Sequence, residues 1–197
     1  MPLPLFPLRL LPLPGETVGL HVFEPQYQAL FNELESMQVT EFGIPFCHDN
    51  KIWRVGATMR LVTVQKRMEG GKRDVAVTAT GLFRLNSMDE TPGAVPYPVG
   101  EVETMTDWAH WPLGTACATS RDALIDEMKE RDLRVSNLEN QGLVRLVQHL
   151  GIDAMQRAEI LSKTRVEDMQ RLLLERLELT RKLVQQTPLE GGAFFVN

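Results

Sequence analysis

The chain has 197 residues, of which 43% are hydrophobic and 24% are charged, so it contains enough apolar material to fold around a core. Its formal net charge is −5 and its pI is near 5.4. This charge argues against a non-specific nucleic-acid binder, since such proteins gain most of their affinity by placing cations on phosphates. The length leaves room for one domain or two small ones, and not for an ATPase module joined to a catalytic module.

Cysteine usage and the amino terminus indicate the compartment. Cys47 and Cys117 lie 70 positions apart and fit neither a disulfide framework nor a CxxC pattern, so we expect free thiols in a reducing compartment. The apolar amino terminus has prolines at positions 2, 4, 7, 12 and 14 and no basic region, which is atypical of a signal peptide. No apolar run approaches the roughly 18 residues that a membrane span requires. We therefore expect a cytoplasmic protein without a membrane partner.

The first half of the chain is predicted to form strands joined by turns. Residues 3–11 are apolar with frequent prolines, which is typical of an extended segment at a sheet edge. A short strand is predicted over 18–23, and Pro25 then opens a helix because proline costs nothing in the first turn. The apolar residues of that helix at helical spacing are Tyr27, Leu30, Phe31 and Leu34.

A β-hairpin is the clearest local pattern further along. Residues 59–65 and 74–80 are both rich in β-prone side chains, and the polar turn between them contains Gly70 and Gly71. Gly81, which continues the second strand, predicts a bulge or a close backbone approach. Two further strands are expected over 41–46 and, at a sheet edge, over 95–102.

From about residue 119 onward the apolar spacing becomes helical. One amphipathic helix is predicted to begin near Ser120. Asp153 is placed to cap a short helix over 154–161. The longest helix is predicted over 165–186.

Strands and helices are thus segregated along the chain, which predicts an α+β fold. The predicted parts are a β-rich subdomain over 1–112 and a helical subdomain over 113–197. Trp108 and Trp111 flank His110 near the junction. These aromatic side chains form either a binding platform for apolar partners or a seal between the two parts.

Motifs that carry catalysis or bind metals are missing from the sequence. It has neither a G-x-x-x-x-G-K-[ST] phosphate loop nor a G-x-S-x-G nucleophile elbow. The four histidines are dispersed and fit no metal-ligand pattern. Cys47, His48 and Asp49 are interpreted as a loop, because adjacent residues rarely converge on one metal ion. We expect no catalytic residue, no metal and no cofactor.

Three segments near the amino terminus form a distinctive pattern, with LFPL at 5–8, LPG at 13–15 and LHVFEPQY at 20–27. Later segments continue it, with FGI at 42–44, VGA at 55–57, VTATGLFRL at 77–85, AEIL at 158–161 and VEDMQRL at 166–172. Over nearly the whole chain, the pattern resembles the amino-terminal substrate-recognition domain of ATP-dependent Lon proteases. One departure is Gln26, where that family usually has arginine.

The resemblance implies a twisted, PUA-like β pseudo-barrel followed by a carboxy-terminal α-helical bundle, in a bacterial, cytoplasmic protein. The ATPase and Ser–Lys protease parts of Lon are absent from this sequence. The resemblance therefore implies substrate recognition and not proteolysis.

The leading functional hypothesis is a stand-alone, non-catalytic module that binds proteins or peptides. Its expected partners are apolar or unfolded protein segments, with a protease or chaperone as a further partner. Aromatic side chains supply most of the binding energy at such contacts. The predicted contact residues are Phe46, Trp53, Trp108 and Trp111.

Two alternatives stay open. A PUA-like fold with a basic hairpin tip also fits an RNA-binding module, although the acidic net charge counts against nucleic acid. The residues of that tip are Lys66, Arg67, Lys72 and Arg73. A self-contained peptidase comes third, and the missing nucleophile motif counts against it.

Overall fold

The computed structural model describes residues 2–90, 93–106, 108–133, 135, 138–139 and 141–186. The chain divides into two compact units, Met1–Thr106 and Asp107–Asn197, while the sequence places the junction at 112/113. All the strands that the structure describes lie in the first unit with one helix, and the second unit is helical. This segregation confirms the α+β prediction.

The first unit is built on a six-stranded antiparallel sheet. Along the sheet the strand order is β1-β6-β5-β4-β3, and β2 pairs with β5 off this path. The elements in chain order are β1 (Pro2–Pro4), β2 (Thr17–Val22), α1 (Pro25–Glu35), β3 (Phe42–His48), β4 (Lys51–Arg67), β5 (Arg73–Asp89) and β6 (Val99–Thr104).

The segment after β1 joins the two ends of this strand order. Isolated parallel bridges connect Leu5 with Gly43 and Leu8 with Phe46, so the chain beside β1 also contacts β3. The Leu8 carbonyl accepts a hydrogen bond from the Cys47 N–H at 2.8 Å. The proline-rich run predicted at a sheet edge therefore closes the sheet into a pseudo-barrel.

The long hairpin of β4 and β5 confirms the clearest sequence prediction and extends it to 17 residues on each strand. Thr58 pairs with Gly81 while Met59 pairs with Ala79, which leaves Thr80 as an extra residue beside the glycine. The predicted bulge at Gly81 is thus confirmed. The first half of β5 also pairs with β2, and its second half pairs with β6.

Helix α1 covers the interior of this sheet with the predicted apolar stripe, all of which is buried. Its Pro25 stands in the first turn after Glu24, an extended residue. Phe31 packs edge-on against Phe42, with 5.4 Å between ring centroids, and Phe6 stacks on Tyr27 at 3.8 Å. Aromatic contacts therefore connect α1 to the core.

One strand differs from its prediction. β6 begins at Val99, after Pro96 and Pro98, and it lies between β1 and β5 instead of at an edge. Proline has no N–H to donate to a ladder, so the strand starts only once the prolines are passed. The Pro98 carbonyl accepts a hydrogen bond from the Leu5 N–H at 2.8 Å.

The second unit contains the remaining helices, α2 (Thr115–Glu130), α3 (Leu143–His149), α4 (Ala154–Leu161) and α5 (Val166–Gln186). Asp153 caps α4 as predicted, since its carboxylate accepts a hydrogen bond from the Gln156 N–H at 2.8 Å. α2 begins five residues before the predicted Ser120, because Gly114 supplies its extended cap residue. Among the described residues, no helix is long and apolar enough to cross a membrane.

Candidate functional site

The first unit carries an open groove of about 700 Å³, which we call the α1–β4 groove. Such a volume lies within the range of ordinary ligand pockets. The last turn of α1, the loop that follows it and the second half of β4 form its walls. The lining residues are Leu34, Glu35, Met37, Thr40 and 60–64.

The groove exists because β4 extends further than β3. β3 pairs with β4 only from Lys51 to Met59, and among the described residues the stretch 60–67 pairs with β5 alone. One edge of this stretch is therefore free. Its pairing with β5 is interrupted at Val62 and Gln65, each of which is an extra residue in the register. Bulges of this kind redirect side chains at a sheet edge.

Apolar side chains are exposed on both walls of the groove. Met37 is 72% exposed on the loop, and Val62 is 58% exposed at the bulge of β4. Single exposed apolar residues are ordinary, but these two line the same groove. The groove therefore offers apolar surface to a partner.

Met37 occupies a backbone position that normally takes glycine. The Gln38 N–H donates to the Glu33 carbonyl at 3.0 Å, and the Met37 N–H donates to the Leu34 carbonyl at 3.3 Å. These bonds form a Schellman helix ending, in which the residue with positive φ is usually glycine. Met37 has φ 61°, a conformation that costs about 1 kcal/mol for a residue with a side chain. Strained residues of this kind cluster at functional sites.

One of the lining residues, Glu35, belongs to a network of charged side chains. Glu35 accepts hydrogen bonds from both Arg67 and Arg73. Arg73 is only 5% exposed and also donates to Asn32 Oδ1 at 2.7 Å. Partial burial alone raises the pKa of the Glu35 carboxyl, but the hydrogen bonds and charges of the two arginines outweigh it and lower that pKa. The end of α1 is thereby held against the β4–β5 hairpin.

At the other end of the groove, a smaller network involves Arg60. Its guanidinium donates to Glu41 Oε1 at 3.1 Å, and the Thr80 hydroxyl donates to the same oxygen at 3.2 Å. β4 has five cationic residues over 51–67 and no acidic one. Of these five cations only Arg60 lines the groove, and the other four lie along the strand on either side of the lining residues.

Two of the predicted aromatic contacts lie together in the first unit. Trp53 is half-buried and packs edge-on against Phe46, with 5.8 Å between ring centroids. The Lys51 ammonium lies 5.7 Å from the centre of the indole. Phe46 is only 1% exposed, so it supports the indole from the core and offers no surface of its own. Neither residue lines the α1–β4 groove.

The other two predicted aromatic contacts lie in the second unit. Trp108 begins a short 3₁₀ helix, and the Arg145 guanidinium lies 5.7 Å from the centre of its ring. The Trp111 carbonyl accepts a hydrogen bond from the Leu143 N–H at 3.3 Å, at the start of α3. Both indoles are half-buried.

The basic hairpin tip is less available than its sequence indicates. Arg67 and Arg73 are bound to Glu35, and Arg73 is buried. Lys66 and Lys72 are exposed, and among the described residues they form no ion pair. Two of the four predicted RNA-binding cations therefore serve the fold.

The residues that form the groove were missed by sequence reasoning. The β-prone run at 61–64 predicts an ordinary strand. It does not reveal that Val62 forms a bulge, with no partner residue on β5. The unusual placement of Met37 also depends on where α1 ends. The one local indication is the absence of glycine after α1, where helices commonly end on one.

The second unit contains a buried cysteine. The Cys117 thiol is buried and donates to the Gln170 carbonyl at 3.1 Å, and burial raises its pKa, which disfavours the reactive thiolate form. In the part of the chain that the structure describes, no three His, Cys, Asp or Glu side chains are grouped to hold a metal ion.

Comparison with known proteins gives a consistent result. A family model described as the ATP-dependent protease La (LON) substrate-binding domain matches residues 2–186. The N-terminal domain of Mycobacterium avium complex Lon protease has a TM-score of 0.67 and 13% identity, covering 90% of this chain and 98% of that one. The Lon N-terminal domain protein from Xanthomonas campestris has a TM-score of 0.62 and 25% identity, and the match covers 95% of this chain and 99% of that one. No curated protein matches the sequence. These matches confirm the resemblance and the fold class predicted from the sequence.

Proposed function

Because the chain belongs to the ATP-dependent protease La (LON) substrate-binding domain family, we propose that it captures unfolded or apolar protein segments without cleaving them. The family supports a substrate-recognition module. We further propose that the chain does not catalyse cleavage and that clients bind in the α1–β4 groove.

The observation that carries the proposal is the pair of exposed apolar side chains, Met37 and Val62, in one groove. Met37 stands there although glycine would suit its backbone better, which favours a role for its side chain in binding. Methionine also suits varied clients, because its flexible, polarizable side chain adapts to many apolar shapes.

The aromatic side chains remain proposed secondary contacts. Trp53 is partly exposed beside Lys51, and Trp108 and Trp111 are half-buried in the second unit. Half-buried indoles combine apolar area with a fixed orientation, which suits them to anchor partner segments. A protease or chaperone that receives the client is a further proposed partner.

Binding of an unfolded protein tests the proposal directly. We expect the purified chain to bind fluorescein-labelled β-casein in an anisotropy titration without ATP, and to leave folded ubiquitin unbound. Electrophoresis of the same samples after overnight incubation should show intact casein. Failure to bind casein contradicts the proposed capture, and casein fragments contradict the proposed lack of catalysis.

A further inference from the structure

We propose that the α1–β4 groove takes a short extended segment of a client, which pairs with the free edge of β4 and carries an acidic residue at the end nearest the β4–β5 turn. This inference rests on the proposed function and specifies the client chemistry that the groove selects. Three features support it, namely the free edge, the apolar walls and the lysines near the β4–β5 turn.

The free edge supplies backbone hydrogen bonds. Residues 60–67 of β4 pair only with β5 among the described residues, so alternate N–H and C=O groups face away from any protein partner. An extended peptide satisfies such groups by adding as a strand. The bulges at Val62 and Gln65 interrupt the edge and limit the paired stretch. At about 3.3 Å per residue, the lining residues 60–64 offer room for roughly five client residues.

The apolar walls supply anchorage for client side chains. Alternate side chains of an added strand point to the same side, and Met37 and Val62 stand exposed on the two walls of the groove that it would enter. Because the bulges shorten the paired edge, side-chain contacts with these two residues have to supply much of the affinity. The preferred client is therefore apolar at alternating positions.

The lysines near the β4–β5 turn determine which end of the client segment should be acidic. Arg60 and Arg67 of β4 are paired with Glu41 and Glu35. Just beyond the lining residues, at the hairpin end, Lys66 is exposed and forms no ion pair among the described residues, although Asp74 is its cross-strand neighbour. Lys72, on the other side of the turn, is also exposed and forms no ion pair among the described residues. Glu69 is the acidic residue between the two lysines. An acidic residue at the nearby end of the client complements these two lysines.

Synthetic peptides test the three features separately. The probe is a fluorescein-labelled octapeptide with valine alternating with threonine and two aspartates at one end, made with the aspartates at either terminus. One control replaces the aspartates with lysines, and another methylates the backbone nitrogens of alternate residues to remove their donors. We expect one aspartate isomer to bind, and the lysine and methylated peptides to bind about tenfold more weakly.

Protein variants assign the binding to the groove. Met37→Gly is expected to weaken binding of the preferred peptide about tenfold while leaving the melting temperature unchanged or higher, because glycine suits the helix ending. Lys66→Glu combined with Lys72→Glu should weaken the aspartate peptide and strengthen the lysine peptide. The matched control is Phe23→Ala, since Phe23 is 53% exposed in the same unit and does not line the groove.

The outcomes separate this inference from the proposed function. If casein binds but Met37→Gly and backbone methylation change nothing, the groove assignment is overturned and capture of unfolded protein stands. If the peptide binds as expected and casein does not, capture of unfolded proteins fails while the groove assignment stands. If a 12-nucleotide RNA displaces the peptide and the double variant Lys66→Glu with Lys72→Glu abolishes RNA binding, the groove binds nucleic acid and the inference is overturned.

Discussion

Glu35 connects elements that are far apart in the chain. Its carboxylate binds Arg67 and the buried Arg73, while Asn32 accepts a further hydrogen bond from Arg73. A buried guanidinium is tolerated only when a counter-charge and hydrogen-bond acceptors surround it. This carboxylate therefore compensates the charge of the buried arginine.

Replacing Glu35 with glutamine should destabilise the fold considerably. Glu35→Gln leaves Arg73 without its counter-charge, and we expect a loss of about 2–4 kcal/mol in the free energy of unfolding, measured by urea titration. The matched control is Arg67→Ala, which removes the exposed partner and should cost less than about 1 kcal/mol. Equal losses in the two variants would contradict the central role of Arg73.

Glu35 should also make stability depend on pH. Folding lowers the pKa of its carboxyl below the ordinary value of a glutamate side chain, so the ionised form stabilises the folded state. This contribution is fully present above the unfolded pKa and is lost as the pH falls through the lower folded pKa. The melting temperature of the wild type should therefore fall more steeply below pH 4.5 than that of Glu35→Gln, measured by calorimetry. Parallel curves would contradict this assignment.

Two glycines of the long hairpin should respond differently to alanine. A Cβ on Gly56 would overlap the Phe83 ring and lie 2.6 Å from the Ile44 carbonyl, whereas one on Gly81 would lie 3.8 Å from Thr58. We expect Gly56→Ala to cost about 1–3 kcal/mol through overpacking, and Gly81→Ala to be tolerated. Thermal unfolding of the two variants side by side checks this. A Gly56→Ala variant as stable as the wild type would show that the sheet core rearranges to accommodate the added methyl group.

At the scale of elements, the start of α4 depends on one side chain. Asp153 accepts a hydrogen bond from the Gln156 N–H, which satisfies a donor that the helix itself leaves unpaired. Asp153→Ala should cost about 1 kcal/mol, whereas Asp153→Asn retains an acceptor and should cost less. Hydrogen exchange of the α4 amides measures the difference, and equal protection in both variants would contradict the capping role.

β4 combines two structural roles because its two halves have different neighbours. Residues 51–59 include the whole pairing with β3, and from Val55 onward the strand also pairs with β5. Residues 60–67 pair with β5 alone and carry the bulges at Val62 and Gln65. The same strand therefore contributes to the core at one end and to a free edge at the other.

At the scale of the whole molecule, the charge predicts weak nucleic-acid binding. The net charge is −5, and Arg67 and Arg73 of the basic tip are bound to Glu35. We expect a single-stranded 12-nucleotide RNA to bind more weakly than about 100 μM at physiological salt, measured by fluorescence anisotropy. Salt-sensitive binding in the micromolar range that is lost in Lys66→Glu would instead support the RNA-binding alternative.

Features that depend on residues close together in the chain could be predicted from the sequence. Helix α1 is set by Pro25 and a regular apolar stripe, α4 by the Asp153 cap, and the hairpin by two β-prone runs around Gly70 and Gly71. The resemblance to the Lon domain family also implied the fold class, a β pseudo-barrel followed by a helical bundle. Such features are predictable because their hydrogen bonds and apolar spacing involve neighbouring residues.

The location of the candidate site depends instead on residues that are far apart in the chain. The free edge exists because β3 ends its pairing at Met59, and the buried Arg73 is compensated by a carboxylate 38 positions earlier in the chain. Met37 becomes a groove residue only because α1 ends beside β4. Contacts between distant residues depend on how elements pack, and no local pattern encodes that packing. The predicted aromatic contacts illustrate the limit, since Phe46 belongs to the core that the same packing creates.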